Sequence, residues 1–491
     1  MDYLDPRKRA RHTIMLYVGY VLIGIGIAMA TVVLVYRAYG FGIDRQGTVI
    51  QNGLVFVSSQ PQAADIYVNG QLKKPKTNTR LVMTADTYSL TLKKAGYQDW
   101  SRLISVSGGE VGRFDYPLLI PNNLVTNSLA SYPTAPNFMT QSPDKRWLIL
   151  AKADVFNSFD VYDLRSPTED PTPITIPPDA LAQPAGAQSW EVIEWADDNR
   201  HLLLQHRYDD TSEFILVNRE NPVQSLNLTR KLGVNPSNLR FIDRKFDRYY
   251  VYDAPTQTLS RASLQTTALT PVLTEVISYR SHGEGTLLYA TSRGASAGQI
   301  RVRLLTNDRT YTIRSLTANT PYLLDITQYD NTFYAVVGAS SENKVYVYRD
   351  PVRQIGTDVF KLPVPLHILR TTQPTHVSFS SSTQFIMVQN DKQFAVYDIE
   401  NDEGYTYTAV EPLDAPQPNA TWMDGNRLSF VSNGKHTFFD YDYKNIRTLS
   451  AALPAFKPVF APDFRYSYSL TADSAGVVTL SQTALRIPSE L

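Results

Sequence analysis

One short motif in this chain matches the pattern of a hydrolase nucleophile. Gly294-Ala295-Ser296-Ala297-Gly298 has the G-x-S-x-G spacing of a nucleophile elbow, in which a strand enters, a helix leaves and the serine is held beside an oxyanion hole. Here the run LLYAT precedes the motif and the run QIRVRLL follows it, and both have strand patterns. We therefore interpret the motif as a Gly/Ser turn between strands, and the sequence indicates no catalytic residue and no enzyme.

The histidines do not have the spacing of a metal site. His201 and His206 are five residues apart in one predicted strand, which places them on opposite faces, and His367 and His376 lie in a stretch that we interpret as rich in loops. The chain has no His-Glu-x-x-His pair, no His-x-His pair and no cysteine. The sequence therefore predicts no zinc site, no thiol nucleophile and no cofactor. A metal held by several repeats around a central channel stays open.

Acidic residues cluster in three predicted turns: Asp209-Asp210, Asn401-Asp402-Glu403 and Asp440-x-Asp442. The last of these lacks the glycine and the downstream glutamate of an EF-hand loop. We interpret all three as solvated turns, with a calcium site on one rim as the alternative.

Four tryptophans begin or flank predicted strands: Trp147, Trp190, Trp195 and Trp422. We expect them to lie in the core, and a platform for a glycan or peptide is the alternative.

Composition indicates a mainly β protein of more than one domain. The 491 residues contain 30 tyrosines and 20 phenylalanines, which favour strands. Lys plus Arg and Asp plus Glu both number 47, so the formal charge is zero. A nucleic-acid-binding protein would be expected to carry a basic field. We therefore expect no nucleic acid among its partners.

A run of 24 residues, 13–36, contains no charge and is long enough to cross a bilayer as a helix. The preceding tail, 1–12, contains Arg7, Lys8, Arg9 and Arg11. Because basic residues are retained on the cytoplasmic side, we expect a cytoplasmic amino terminus and an extracytoplasmic segment 37–491. A cleaved signal peptide would have a shorter apolar core followed by small residues, so we favour an uncleaved single-pass anchor in the cell membrane.

Small residues within this run raise the question of helix pairing. Gly24 and Ala28, and Gly26 and Ala30, have the spacing that lets two membrane helices approach closely. Glycine is also common in isolated membrane helices. A weak homodimer through this helix therefore stays a hypothesis.

After a linker at 37–53, residues 54–120 have the texture of short strands and turns. The strand patterns are Leu54–Val57, Asp65–Val68, Tyr88–Leu92 and Leu103–Val106, with the hairpin signal Asn69-Gly70 after the second. Five or six such strands in about 70 residues suit a small β-sandwich.

This region resembles the PEGA domain of bacterial surface proteins. The motifs that carry the resemblance are Ser59-x-Pro61-x-Ala63-Ala64-Asp65-Ile66-Tyr67-Val68-Asn69-Gly70, Tyr88-Ser89-Leu90 and Lys94-Ala95-Gly96-Tyr97-x-x-Trp100. Gln62-Ala63 replaces the Glu-Gly of the naming motif, and Asp86 replaces a glycine usual before the Tyr88 strand. The resemblance implies a compact β module of the cell envelope without catalysis, acting as a spacer or docking surface near the membrane.

Residues 121–491 repeat one unit: a turn with Asp or Asn, an apolar strand, a polar turn, and a strand of aromatic-Val-Tyr-Asp type. Six units are clear, and those at 241–264 and 283–304 are weaker. The turn aspartates are on average about 46 residues apart, close to the length of a four-stranded propeller blade. We predict a β-propeller of eight blades, with seven as the alternative, in which residues 122–132 supply the outer strand of the last blade. The Ser-Pro-Asp turn before an apolar strand resembles TolB and WD40-like repeats of bacterial envelope proteins, which implies the fold and no function.

The sequence thus predicts an all-β protein with an amino-terminal transmembrane helix, a small PEGA-type sandwich and a propeller. The expected function is recognition or scaffolding for an envelope protein, peptide or glycan. The alternative is a hydrolase or lyase with its site in the central channel. The Pro-rich segments 166–186 and 349–375 are longer than blade loops require, so we expect any partner site beside them.

Overall fold

The computed structural model describes residues 6–38, 41–43, 49–356, 361–416 and 419–490. The chain divides into two compact units, one comprising Met1–Asn123 with Glu490 and the other comprising Leu124–Ser489 with Leu491.

The first unit begins with helix α1, Pro6–Ala38, which extends beyond the predicted span at both ends. Its segment Ala10–Tyr36 has a mean hydropathy of 2.5 and none of it is buried, so it is long and apolar enough to cross a membrane. Within it, the Thr31 hydroxyl donates to the Ile27 carbonyl at 2.8 Å, so this polar side chain is hydrogen-bonded inside the helix. The structure thus provides a candidate membrane span.

Two four-stranded sheets follow α1 in the first unit. The strands are β1 Phe41–Ile43, β2 Val49–Val57, β3 Asp65–Val68, β4 Gln71–Lys76, β5 Thr79–Thr84, β6 Asp86–Lys93, β7 Trp100–Val106 and β8 Val111–Phe114. One sheet has the order β1-β2-β5 with β8 also paired to β2, and the other has the order β4-β3-β6-β7. Val57, Ile66, Leu90 and Trp100 are buried in the core of this module. The predicted sandwich is therefore present, and the predicted linker 37–53 was wrong in part because it contains β1 and the start of β2.

Two turns of this module show why the sequence motif has its form. Asn69 and Gly70 have φ angles of 50° and 76°, which is the left-handed pair that a tight β-hairpin requires. Ala63 also has a positive φ, 62°, at the position where the PEGA motif has glycine. Since a Cβ is disfavoured there, this alanine retains the turn at a cost in backbone strain.

The second unit begins with strand β9, Thr126–Tyr132, and continues through eight further groups of strands. Sheets 1 to 4 contain β10 Met139–Gln141, β11 Trp147–Ala151, β12 Ser158–Asp163, β13 Thr172–Thr175; β14 Gln188–Trp195, β15 His201–Tyr208, β16 Thr211–Asn218, β17 Leu226–Asn227; β18 Asn238–Ile242, β19 Lys245–Asp253, β20 Thr258–Ser263, β21 Thr270–Leu273; and β22 Val276–His282, β23 Thr286–Thr291, β24 Gln299–Thr306, β25 Arg309–Thr317. Short helix α2, Leu228–Leu232, follows β17.

Sheets 5 to 8 contain β26 Tyr322–Tyr329, β27 Thr332–Ala339, β28 Lys344–Arg349, β29 His367–Arg370; β30 His376–Phe379, β31 Phe385–Asn390, β32 Gln393–Asp398, β33 Glu403–Thr408; β34 Thr421–Trp422, β35 Arg427–Ser432, β36 Lys435–Asp440, β37 Arg447–Ala451; and β38 Val459–Phe460, β39 Tyr466–Ala472, β40 Val478–Ala484. Helix α3, Pro351–Ile355, lies between β28 and β29. The described residues thus form eight four-stranded sheets in this unit, each with its strands in chain order except the last, which takes β9 as its fourth strand.

Each sheet packs on the next through a buried apolar layer. Leu288 and Val337, for example, join sheets 4 and 5 in one cluster, and the rings of Phe394 and Phe439 join sheets 6 and 7 at 5.6 Å. Leu150 of sheet 1 belongs to the same cluster as Leu470 of sheet 8, so the last sheet also packs on the first. The propeller class is therefore confirmed. Each sheet is itself open, so the number of blades stays a prediction, which the cyclic order of the sheets supports.

The two Pro-rich segments each contain the fourth strand of a sheet. β13 lies within 166–186, and α3 and β29 lie within 349–375. A partner site beside these segments stays a prediction.

The pairing of β9 with β40 can be tested by a crosslink. Thr126 lies opposite Thr483, and their hydroxyl oxygens are 3.0 Å apart. The chain has no cysteine, so a Thr126→Cys/Thr483→Cys variant can form only one intramolecular disulfide. We expect it to form in air and to stabilise the fold by about 5 kcal/mol, because it closes a very long loop. Mobility on a non-reducing gel and thermal unfolding with and without reductant measure both effects.

The matched control is Ser128→Cys/Thr483→Cys, because Ser128 lies opposite Ser481 and is diagonal to Thr483. Equal crosslinking of both pairs would contradict the register.

Candidate functional site

The first strand of each sheet in the second unit meets the first strands of its neighbours. The Trp195 indole nitrogen on β14 donates to the Thr140 hydroxyl on β10 at 3.0 Å. The Trp422 indole nitrogen on β34 donates in the same way to the Ser378 hydroxyl on β30 at 3.1 Å. The innermost strands of a propeller surround its central channel. These first strands are therefore the elements that position side chains around a channel.

A pocket of about 450 Å³ opens among the first strands of sheets 2, 3 and 4. Its lining includes Glu194 of β14, Asn238 and Arg240 of β18, and Tyr279 and Arg280 of β22. β14 and β22 each contain a register irregularity next to the pocket, between Val192 and Glu194 and between Val276 and Ser278. Bulges re-aim side chains near sites, so these irregularities help to turn the lining residues toward the pocket.

Glu194 connects sheet 2 to sheet 3. Its carboxylate accepts a hydrogen bond from the Phe241 backbone N–H at 2.5 Å, and the Arg240 guanidinium donates to the Ile193 carbonyl at 3.2 Å. Burial raises the pKa of Glu194, and the charge of Arg240 opposes that rise. One wall of the pocket is therefore a carboxylate and a guanidinium that are both fixed to neighbouring backbone.

Arg280 and Tyr279 form the opposite wall. The Arg280 guanidinium donates to the Tyr279 carbonyl at 3.0 Å, and the Tyr279 hydroxyl lies 3.4 Å from the Asn238 amide oxygen. Arg280 is exposed, whereas Tyr279 is buried and burial raises its pKa. An exposed guanidinium beside a buried tyrosine presents donors to the pocket.

Beyond Arg280, the channel contains two titratable groups with strongly shifted pKa values. Burial raises the pKa of Asp325 on β26 to about 6, and Arg280 opposes that rise. Burial lowers the pKa of His376 on β30 to about 4, and the charges of Lys457 and Arg280 lower it further. At neutral pH the imidazole is therefore neutral and the carboxylate is mostly ionised.

Lys457 lies near this group, in the segment before β38. Its side chain is exposed to solvent, yet the surrounding protein atoms lower its pKa by desolvation.

Both carboxylates lie on first strands. The Asp325 carboxylate accepts from the Ile326 N–H of its own strand at 2.9 Å, and the Phe379 N–H on the next first strand lowers its pKa. Glu194 accepts from Phe241 and so links sheet 2 to sheet 3. A carboxyl with a pKa near 6 could also transfer protons, and the arginines can bind a carboxylate or phosphate.

The residues singled out from sequence lie elsewhere. Gly294 and Gly298 have φ angles of 70° and 74° in the turn between β23 and β24, so the strand-turn-strand interpretation is confirmed. The His201 ring lies 2.6 Å from an Asp198 oxygen, and the His206 ring lies 2.9 Å from a Glu213 oxygen inside sheet 2. Neither contributes to the channel group.

His367 and His376 lie on the four-residue strands β29 and β30, within a stretch that is otherwise rich in loops, as predicted. One positional prediction was wrong. Asp440 is 2% exposed rather than solvated, because it ends β36 and accepts from the Asn445 amide at 2.8 Å. Asp209, Asp210, Asn401 and Asp402 lie in exposed turns, as predicted, and the exposed Glu403 begins β33.

The tryptophans mainly pack the interior. Trp190 and Trp195 are each 7% exposed, and Trp147 lies under the guanidinium of Arg219 at 3.8 Å from its ring centroid. In the part of the chain that the structure describes, no three His, Cys, Asp or Glu side chains group as metal ligands.

Sequence reasoning missed the channel group. Arg240, Arg280 and Asp325 are charged residues within short strands that precede the recognised apolar strands. A search for charges at that position in each repeat could have found them.

The chain is thus a β-propeller protein with a two-sheet module and a candidate membrane helix ahead of it. The PEGA domain family matches residues 52–120. No curated protein matches the chain.

Solved structures similar to this chain are those of β-propeller proteins. Oligogalacturonate lyase from Vibrio parahaemolyticus has 11% identity and a TM-score of 0.37, covering 74% of this chain and 99% of that one. Hsv2 of Kluyveromyces marxianus has 11% identity and a TM-score of 0.38, covering 72% and 100%. The dihydro-heme d1 dehydrogenase NirN has 13% identity and a TM-score of 0.42, covering 64% and 66%. These structural similarities give no information about activity.

The shifted pKa of Asp325 predicts a specific pH dependence. Its pKa is raised to about 6 in the folded state, so its stabilising contribution is complete below the unfolded pKa and is lost as pH rises through about 6. We expect Asp325→Asn to change stability little at pH 4 and to raise it at pH 8 by on the order of 2 kcal/mol. Thermal unfolding at both pH values measures this effect.

Asp210→Asn, in an exposed turn, is the control and should have the same small effect at both pH values. If Asp325→Asn behaved as that control does, the carboxyl would not be desolvated.

Proposed function

We propose that this chain is a membrane-anchored recognition protein of the cell envelope, and that its propeller binds an anionic peptide or glycan in the channel pocket. The observation that carries the proposal is the pair of arginines, Arg240 and Arg280, facing one pocket of about 450 Å³. That volume is within the range of binding sites for a small ligand, or for one side group of a larger ligand.

The arginines differ in their availability to a ligand. Arg240 is partly buried and donates to a neighbouring strand, so it supplies charge from a fixed position. Arg280 is exposed, and its guanidinium has five N–H donors. A planar fork of donors suits a carboxylate or a phosphate. Asn238 and Ser281 add neutral polar groups to the lining, which would orient the rest of the ligand.

The location is inferred from the first residues of the chain. The basic tail before Ala10–Tyr36 favours a cytoplasmic amino terminus and a propeller on the outer side. Residues 52–120 match the PEGA domain, and its resemblance to a module of bacterial surface proteins supports the same side. A fold without cysteine needs no oxidative maturation there.

The alternative function is a channel enzyme, and Asp325 with His376 favours it. Burial inverts the usual order of these pKa values, with the carboxyl at about 6 and the imidazole at about 4. Recognition is preferred because both carboxylates already accept backbone N–H groups, Glu194 from Phe241 of the next sheet and Asp325 from Ile326 of its own strand.

Membrane topology can be tested with single cysteines in this cysteine-free chain. Ser474→Cys lies in an exposed turn, and we expect an impermeant maleimide to label it in intact cells. Asp5→Cys in the basic tail should be labelled only after permeabilisation. Intact mass of the membrane-extracted protein should include residues 1–36, and a shortened mass would indicate a cleaved signal peptide instead.

Ligand binding can be tested with the purified full chain in detergent. We expect it to retain acidic peptides or glycans from native membrane extracts and to release them at high salt. Arg280→Gln should weaken retention at least about tenfold, since a hydrogen bond between charged groups contributes about 1.5–3 kcal/mol. Arg309→Gln, on the outer strand β25, is the control and should retain them fully.

Undiminished retention by Arg280→Gln would contradict the pocket. Chemical conversion of the retained material, abolished in both Asp325→Asn and His376→Gln, would establish the enzyme alternative.

A further inference from the structure

The outer face of the first sheet of the PEGA-like module carries an apolar row. Leu54 on β2 lies opposite Val82 on β5 and opposite Val111 on β8, so the three side chains share one face across three strands. Val82 is 69% exposed and Val111 is 53% exposed. Single exposed apolar residues are ordinary, whereas a contiguous row is typical of a contact surface.

A basic row lies next to the apolar one. Phe56 lies opposite Arg80 on β5 and opposite Arg113 on β8, on the same outer face. The Arg113 guanidinium is 4.9 Å from the centroid of the Phe56 ring. Arg80 and Arg113 are both exposed. We call these six residues, Leu54, Phe56, Arg80, Val82, Val111 and Arg113, the docking face.

Charge is unevenly divided along the chain. Residues 37–123, which follow the candidate span, contain 10 Lys or Arg and 6 Asp or Glu, a net charge of +4, and the tail 1–12 adds a net +2. Residues 124–491 contain 33 Lys or Arg and 39 Asp or Glu, a net charge of −6. The net charge of zero is therefore the sum of a basic first part and an acidic remainder. An anionic surface would therefore attract the module and repel the propeller.

The docking face is also close to the candidate membrane span along the chain. The Phe41 ring lies 4.5 Å from the ring of Tyr36, the last residue of the span. Phe41 is paired with Gln51 on β2, and Leu54 is three residues further along that strand, roughly 10 Å at the usual rise. The apolar row therefore begins roughly 10 Å along β2 from the residue that is paired beside the end of the span.

We propose that the docking face binds the surface of an anionic phospholipid bilayer. The apolar row would enter the boundary between headgroups and acyl chains, and Arg80 and Arg113 would pair with lipid phosphates. The inference rests on one part of the proposed function, that α1 is retained as an anchor. It is independent of what the propeller binds.

The second sheet of the module provides the contrast. Leu103 on β7 is 72% exposed but lies opposite Ser89. Leu72 on β4 lies opposite Tyr67, whose ring is 5.6 Å from the Lys93 ammonium. That face has separate apolar residues and no apolar row.

The test uses the full chain with one cysteine, labelled with an environment-sensitive fluorophore and reconstituted into vesicles. Val82→Cys places the label on the docking face, and Leu103→Cys is the matched control. The vesicles contain phosphatidylcholine alone or with phosphatidylglycerol, and a spin-labelled lipid quenches any label that touches the bilayer. We expect strong quenching at Val82→Cys in anionic vesicles and little at Leu103→Cys.

Arg80→Gln with Arg113→Gln in the Val82→Cys background should reduce the docked population roughly fivefold for each arginine removed. Lys73→Gln with Lys74→Gln, on β4, is the control for net charge and should leave most of the quenching. Equal quenching at both label sites would overturn the proposal. Quenching that depends neither on lipid charge nor on the two arginines would overturn it as well. A label at Val82→Cys that is shielded without lipid quenching would also overturn it and indicate a protein contact.

Resistance of the full chain to alkaline carbonate extraction reports the anchor separately. A chain that is extracted contradicts the anchor, whereas a chain that resists extraction without quenching contradicts the docking face alone.

Discussion

The pairing of β9 with β40 is the interaction on which the large unit depends. Seven of its eight described sheets take four consecutive strands, so their pairing is local in sequence. The eighth obtains its outer strand from the beginning of the unit, with Tyr132 opposite Val478 and Thr126 opposite Thr483. Without that strand, β40 would present an open edge, and the apolar layer that Leu150 and Leu470 share would lose its neighbour Tyr132. One long-range ladder thus completes a structure that is otherwise built from short-range ones.

The same packing determines the chemistry of the channel. Because the sheets pack face to face, their first strands are crowded together, and polar groups there must find partners on the neighbouring strand. Glu194 does so by accepting the Phe241 N–H, whereas Asp325 accepts the N–H of Ile326 in its own strand, and desolvation raises the pKa of both. The pKa shifts therefore result from the packing of the sheets. Any role in proton transfer would use carboxylates that already have a structural role.

The sequence predicted the elements whose signal is strong and periodic. The second and third strands of the repeats, such as β11 and β12 or β31 and β32, are apolar and lie beside Asp or Asn turns, so they were recognised even in the weaker units. The first and fourth strands escaped notice because β34 and β38 have two residues each and β13 and β29 have four. For the same reason, the short strand β30 that begins at His376 was not recognised within its loop-rich stretch. Asp440 was taken as solvated because sequence does not show that a turn folds back on the end of its strand.

The candidate site could not have been predicted in the same way, since its members come from different repeats. Glu194 and His376 are far apart in sequence and belong to sheets 2 and 6, and only the cyclic order of the sheets brings such positions to one channel. Which function the geometry favours there depends on which hydrogen-bond donors and acceptors are already paired. The carboxylates are held by the backbone, so their oxygens are partly occupied before any ligand arrives, whereas Arg280 is exposed and retains donors directed at the pocket. A site whose acceptors are occupied and whose donors are available is suited to hold an anion, and that asymmetry is the physical reason to prefer recognition over catalysis.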